Sequence, residues 1–134
     1  MYDIKYHLVW VTKYRYKVLV GELALRTRDV IRQACMAREV KITKGHVSRD
    51  HVHLFVSSPP GLLVSQIVQY VKGKSSYVLQ QEFPELKRRY WGRHLWARGY
   101  FCATVGQMTE EMIKQYLEHH FEPNTNDNFK MEPE

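Results

Sequence analysis

Two histidines two positions apart, His51 and His53 in Asp50-His51-Val52-His53-Leu54-Phe55-Val56, are the first residues whose type and spacing allow chemistry. The stretch is rich in β-branched and aromatic residues and stops at Ser58-Pro59-Pro60-Gly61, so it is expected to be a strand. Strand side chains alternate, which puts His51, His53 and Phe55 on one face and Val52, Leu54 and Val56 on the other, core-facing one. Two neutral imidazoles side by side can hold one divalent ion. Taken alone, the pair reads at least as well as two half-buried histidines of an amphipathic strand. A metal site needs a third ligand, and a reaction needs a reactive group.

The segment Glu110-Glu111-Met112-Ile113-Lys114-Gln115-Tyr116-Leu117-Glu118-His119-His120-Phe121 supplies candidates for both. Ile113, Leu117 and Phe121 form an apolar helical stripe, with Thr109 as the expected N-cap and two acids in the first turn. Tyr116 and His120 are four apart and therefore stack on one face, a turn from each other. By itself a tyrosine on an amphipathic helix is a packing residue. Beside an accessible His-x-His it is a candidate nucleophile, with His120 a candidate third metal ligand.

The rest of the chain must bring these two elements together. Residues 3–12 alternate as a first strand, with Ile4, Tyr6, Leu8 and Trp10 on one face and Lys5, His7, Val9 and Val11 on the other. Gly21 to Arg38 has helical apolar spacing, and Val40 to Val47 is a second strand weakened by Gly45. Arg49-Asp50 leaves room for a tight reversal into the histidine strand. Leu63 to Leu79 is a second helix whose middle, Lys72-Gly73-Lys74-Ser75-Ser76, is small, basic and hydroxylated. Gly73 there allows a kink or a close approach by a ligand. Residues 82–99 read as a long connection and Tyr100 to Val105 as the last strand, with Gly106-Gln107 leading to the final helix. The order β-α-β-β-α-β-α predicts an α+β fold, a ferredoxin-like antiparallel sheet with an added C-terminal helix that carries the tyrosine. The first and third strands then lie side by side at the sheet centre. One domain is expected over residues 1–121 and a mobile tail over 122–134, which holds Pro123, Pro133 and mostly polar residues.

Composition narrows the class of function. A chain of 134 residues with 44% hydrophobic content can bury a single core, and no apolar run approaches a membrane span. The N-terminus lacks the basic-then-apolar layout of a secretory leader, so a cytoplasmic protein is expected. Cys35 and Cys102, far apart and outside any motif, read as reduced, buried thiols. A net charge of +6 tilts the partner towards a polyanion such as nucleic acid. Lys13-Tyr14-Arg15-Tyr16-Lys17 interleaves three cations with two aromatics, a pattern suited to phosphate contacts with base stacking or simply to a solvated loop.

In this setting the chain resembles the small single-tyrosine HUH transposases of hairpin-ended, single-strand insertion sequences. The resemblance rests on His51-Val52-His53, on Tyr6-His7-Leu8-Val9-Trp10 with Lys13-Tyr14-Arg15, and on Lys72-Gly73-Lys74-Ser75-Ser76. It continues through Leu95-Trp96-Ala97-Arg98-Gly99-Tyr100-Phe101 and Thr104-Val105-Gly106 to Tyr116-Leu117-Glu118-His119-His120. The family motif has a glutamine four residues after the tyrosine, where this chain has His120.

The resemblance implies a transposase that cleaves and rejoins single-stranded DNA at element ends, with Tyr116 as nucleophile and a 5′-phosphotyrosine intermediate. It implies a divalent ion, Mg²⁺ or Mn²⁺, on His51, His53 and His120, with the all-histidine set leaning to Mn²⁺. It also implies a homodimer that pairs sheets and shares active sites between subunits, and a DNA hairpin as substrate. Lys13, Arg15, Lys72, Lys74, Lys87, Arg88 and Arg89 are then the cations expected on the DNA backbone. A domesticated relative that binds hairpins without moving them is the alternative. An RNA-recognition module would carry a Lys/Arg-Gly-aromatic start on the third strand, which His51 to Val56 lacks. A zinc hydrolase of the His-Glu-x-x-His type is excluded by the absence of that motif.

Overall fold

The chain opens with β1 (Ile4–Val11), passes through one 3-10 turn at Lys13–Arg15 and enters α1 (Gly21–Ala37). The hairpin β2 (Lys41–Val47) and β3 (His51–Ser58) follows, then α2 (Val64–Glu82), a short α3 (Pro84–Arg89), β4 (Phe101–Thr104) and α4 (Glu110–Phe121). The computed structural model describes residues 4–104 and 110–121, with the side chains of α4 described over 112–118. Gly106-Gln107, the Thr109 cap and the 122–134 tail of the sequence reading lie outside the described residues.

The four strands form one antiparallel sheet in the order β2-β3-β1-β4, so the first and third strands are the central pair, as the element order predicts. The reversal between β2 and β3 is tight, closed by the Ser48 amide donating to the His51 carbonyl at 2.8 Å. β2 is irregular, with a register shift between Ile42 and Lys44. Gly45 lies against β3, where an added Cβ would come 3.2 Å from the Leu54 side chain.

Leu8 and Trp10 of β1 and Val52, Leu54 and Val56 of β3 face α1 and α2, whose Val30, Ile31, Ala34, Ile67, Val68, Val71 and Leu79 complete one core. Each such side chain, fully buried, contributes roughly 1.5–3 kcal/mol. Val9 and Val11 are also buried although they point to the other face. α4 packs on that second face, against β1 and the 13–15 turn. The sheet is therefore covered on both sides at its centre.

Three expectations are adjusted. α2 runs a turn beyond Leu79, to Glu82. The connection after it contains α3, which starts at Pro84, a residue suited to the first helical position, and ends in Lys87-Arg88-Arg89, where the helix dipole favours cations. The cysteines form no disulfide; Cys35 is buried and Cys102 only partly so. Among the described residues no helix is long and apolar enough to cross a membrane.

Candidate active site

The alternation of β3 holds as read: Val52, Leu54 and Val56 are buried in the core, while His51, His53 and Phe55 are partly exposed on the opposite face. Antiparallel pairing then sets their neighbours. His53 stands opposite Val9 on β1 and opposite His46 on β2. Val9 in turn stands opposite Phe101 of β4, so His46, His53, Val9 and Phe101 form one row across one face. The Tyr116 ring lies 5.5 Å from the Phe101 ring, tilted by 46°. With strands about 4.8 Å apart, the residue that carries the tyrosine is two strands from the histidine. Sequence spacing gave no measure of that separation; the pairing register supplies it.

Each imidazole is oriented by a neighbour. His51 Nδ1 is 3.0 Å from Asp50 Oδ1, an arrangement in which the carboxylate holds one ring nitrogen and leaves Nε2 as the available donor atom. His53 Nε2 is 3.3 Å from His7 Nδ1, and the His7 ring stacks on Phe55 at 4.5 Å. Burial lowers the pKa of His53, and the neighbouring His7, His51, His46 and Lys44 lower it further. Burial also lowers that of His7. The ring of His53 is therefore neutral at neutral pH, the state that a metal ion requires. Two of the three expected donors are thus imidazoles suited to a divalent ion, with His53 Nε2 shared with His7. Among the described residues no group of three His, Cys, Asp or Glu side chains is placed to hold one. The expected third ligand, the His120 side chain, lies outside the described residues.

Tyr116 is half-buried, and burial pushes its phenol up to about 12, with Arg15 opposing the rise. A free phenolate is scarce at neutral pH, so a nucleophilic Tyr116 needs its proton removed during attack.

The expected DNA-facing cations divide into two groups. Lys74, Lys87, Arg88 and Arg89 are exposed. Lys13 and Lys87 line one cleft of about 610 Å³ together with Gly73, Tyr77, Arg93 and His94. Arg89 lies over the Tyr16 ring at 4.9 Å, and Tyr16 is 5.3 Å from Tyr14. Trp91, 87% exposed, projects beside Lys87 and Arg88. Gly73 faces open space within the cleft, so α2 uses it to leave room.

Arg15 and Lys72 instead engage the protein itself. Lys72 Nζ donates to the carbonyls of Ala97 and Gly99 at 2.8 and 2.9 Å, and burial lowers its pKa. Its neighbours Ser75 and Ser76 fasten the same loop: Trp96 Nε1 donates to Ser75 Oγ at 2.9 Å and the Leu95 amide to Ser76 Oγ at 3.1 Å. Arg15 pairs with Asp50 at 2.9 Å. Asp50, His7 and His46 are members of this face that motif reading missed. The signal for His7 was register arithmetic across the central pair and for His46 the register of the β2–β3 hairpin; Asp50 carried only its place next to His51.

The chain matches the family model "Transposase IS200 like" over residues 1–120. It is 36% identical over 121 residues to the transposase for insertion sequence element IS200 of Salmonella typhimurium, covering 90% of this chain and 79% of that one. It is likewise 36% identical over 118 residues to the ISDra2 transposase TnpA of Deinococcus radiodurans, covering 88% and 84%. A crystal structure of a Deinococcus radiodurans R1 protein assigned as a transposase superposes with a TM-score of 0.83 at 35% identity, over 89% of this chain and 92% of that one. A REP-associated tyrosine transposase bound to a REP hairpin superposes with a TM-score of 0.58 over 96% of this chain and 70% of that one. At 11% identity that second likeness is one of fold. A family model spanning nearly the whole chain, together with relatives at this identity and coverage, settles the assignment: the chain belongs to the IS200-like transposase family.

Proposed function

We propose that this protein cleaves and rejoins single-stranded DNA at element ends through a covalent link between Tyr116 and a 5′-phosphate, and that it recognises the DNA by its hairpins. The observation that supports the reading is the row His46–His53–Val9–Phe101 with the Tyr116 ring against Phe101, which puts a tyrosine and two histidines on one face of the sheet.

Tyr116 Oη attacks phosphorus and loses its proton; the bond from phosphorus to the 3′ oxygen breaks, and that oxygen takes up a proton as a free 3′-OH. The link keeps the phosphodiester's energy, so a second 3′-OH can attack it in the reverse sense and release the tyrosine. His51, His53 and His120 would hold Mg²⁺ or Mn²⁺, which when bound neutralises charge on the scissile phosphate. Asp50 would hold the His51 ring through Nδ1, leaving Nε2 as its ligating atom. Lys13, Lys87, Arg88 and Arg89 hold the backbone, with Tyr14, Tyr16 and Trp91 available to stack on unpaired bases. The protein acts as a homodimer with sites shared between subunits. An element exchanged between identical protomers keeps its contacts, so α4 makes on the partner's sheet the contacts that it makes within one chain.

The test is to trap the adduct. A labelled single-stranded hairpin incubated with the protein should give a denaturant-stable protein–DNA band with Mn²⁺ and none with a chelator. Specific hairpin binding with no adduct under any divalent ion would replace this reading with that of a non-transposing hairpin binder.

A further inference from the structure

Arg15 stands at a strained place in the chain. It follows Tyr14, and the two residues have φ of 55° and 63°, two successive side chains in the left-handed region. Such backbone persists only where its surroundings enforce it, and it concentrates at functional sites. The enforcement is visible: Thr12 Oγ1 donates to the Tyr16 carbonyl at 2.8 Å, the Arg15 amide to the Thr12 carbonyl at 2.9 Å, and the Lys13 amide to the Leu95 carbonyl at 2.8 Å. The Thr12 amide also donates to the Asp50 carbonyl at 2.9 Å, which fixes the turn to the start of β3.

What the turn achieves is the aim of one guanidinium. Arg15 Nε donates to Asp50 Oδ2 at 3.0 Å, while NH1 donates to the Leu117 carbonyl of α4 at 2.6 Å. The other Asp50 oxygen meets His51 Nδ1. The pair is enclosed, its side chains 11% and 8% exposed. A cation near the C-terminal turns of a helix is also favoured by the helix dipole. One chain of contacts, Leu117–Arg15–Asp50–His51, thus runs from the backbone beside Tyr116 to one metal-ligand candidate.

We propose that Arg15 and Asp50 form a positioning relay that docks the tyrosine helix and orients His51 together, so that ion binding at the histidines and docking of α4 are energetically coupled. This rests on the proposed roles of Tyr116 and His51. It assigns Arg15 to assembly of the site, in place of the DNA contact expected from the sequence. A guanidinium suits the task because its planar fork reaches two acceptors in fixed directions, which an ammonium does not.

The experiment uses the full chain without DNA. Mn²⁺ affinity is measured by calorimetry, and amide exchange of residues 112–118 by mass spectrometry, with and without the ion. Arg15→Gln and Asp50→Asn should each lower Mn²⁺ affinity about 10–100-fold. The double variant should be no worse than the weaker single, as members of one relay are not additive. In Arg15→Gln the α4 amides should exchange faster even without metal, and the same difference should persist when His120→Ala is present in both proteins. Arg15→Lys keeps the enclosed positive charge if Arg15→Gln fails to fold; it should lower Mn²⁺ affinity and α4 protection together, each by less than Arg15→Gln. Wild-type affinity and α4 protection in both single variants would overturn the relay, as would strictly additive losses. Absence of Mn²⁺ binding by the wild type would overturn the metal reading and the coupling with it, while α4 exchange in the metal-free variants tests the clamp by itself.

Discussion

Tyr116 packs its ring on Phe101, and Phe101 is held in register with Val9, the residue opposite His53. The tyrosine ring is thereby referenced to the central strands of the sheet through its contact with Phe101.

Tyr116→Phe should therefore keep the fold and the α4 packing while removing the nucleophile. Adduct formation is expected to vanish and hairpin binding to stay near the wild-type value, read by gel shift and denaturing gel on one sample. Cleavage surviving in this variant would remove the tyrosine mechanism.

His53→Ala should also abolish metal-dependent cleavage with little effect on DNA binding, which the cations supply. Mixing it with Tyr116→Phe tests how the sites are assembled. If sites are shared, a mixed dimer contains one intact site, and cleavage should return on mixing. Two inactive proteins that stay inactive together would place each site within a single chain.

The histidine at position 120 exchanges the hard amide oxygen of the family motif for an imidazole nitrogen. Cleavage should favour Mn²⁺ over Mg²⁺, and His120→Gln should shift that ratio back towards Mg²⁺. Identical metal ratios in the two proteins would show that His120 is not a ligand.

The phenol of Tyr116 makes a prediction at alkaline pH. Its folded-state pKa, raised by burial from the ordinary 10 to about 12, means that the folded chain holds this proton more tightly than the unfolded chain. Its contribution to stability is complete below pH 10 and is lost as pH rises through about 12. Tyr90 and Cys35 shift in the same direction, so the measurement is the difference between wild type and Tyr116→Phe. Urea midpoints compared at pH 9 and pH 11 should fall more for the wild type; parallel falls would contradict the burial of the phenol.

Trp91 is exposed, carries a φ of 57° and sits among Lys87, Arg88 and Arg93. Trp91→Ala should weaken binding of a hairpin with unpaired bases by about 1–3 kcal/mol, and binding of a fully paired duplex hardly at all. Lys87→Ala should lower the salt dependence of both by about one unit of slope. Equal losses on the two DNAs for Trp91→Ala would mean that the ring stacks on no base.

The periodic parts of the molecule were legible in the sequence. Alternation in β3 assigns His51 and His53 to one face because a slip of one residue would bury both and expose Val52 and Leu54. Local periodicity also finds α1, α2 and α4, and the element order fixes which strands are central. What it cannot give is the long-range partner of a polar side chain. Arg15 and Lys72 read as cations for DNA because their neighbours in sequence are basic. The acceptors they meet within the chain, Asp50 with Leu117 and the 97–99 carbonyls, become close only after folding. α3 escaped notice because six residues hold too few turns to show a period.

The strand order has a consequence for how the protein comes into being. β1, the first strand made, is paired on one side with residues of β3 and on the other with Phe101 to Thr104. During synthesis its second edge must wait for β4, and the tyrosine comes later still. Contacts so distant along the chain are slow to form, because a long loop must close before they stabilise anything. A product broken off by the ribosome before β4 has His51 and His53 but an open sheet edge, and it lacks Tyr116. Any activity that needs His51, His53 and Tyr116 together is therefore confined to chains translated through α4.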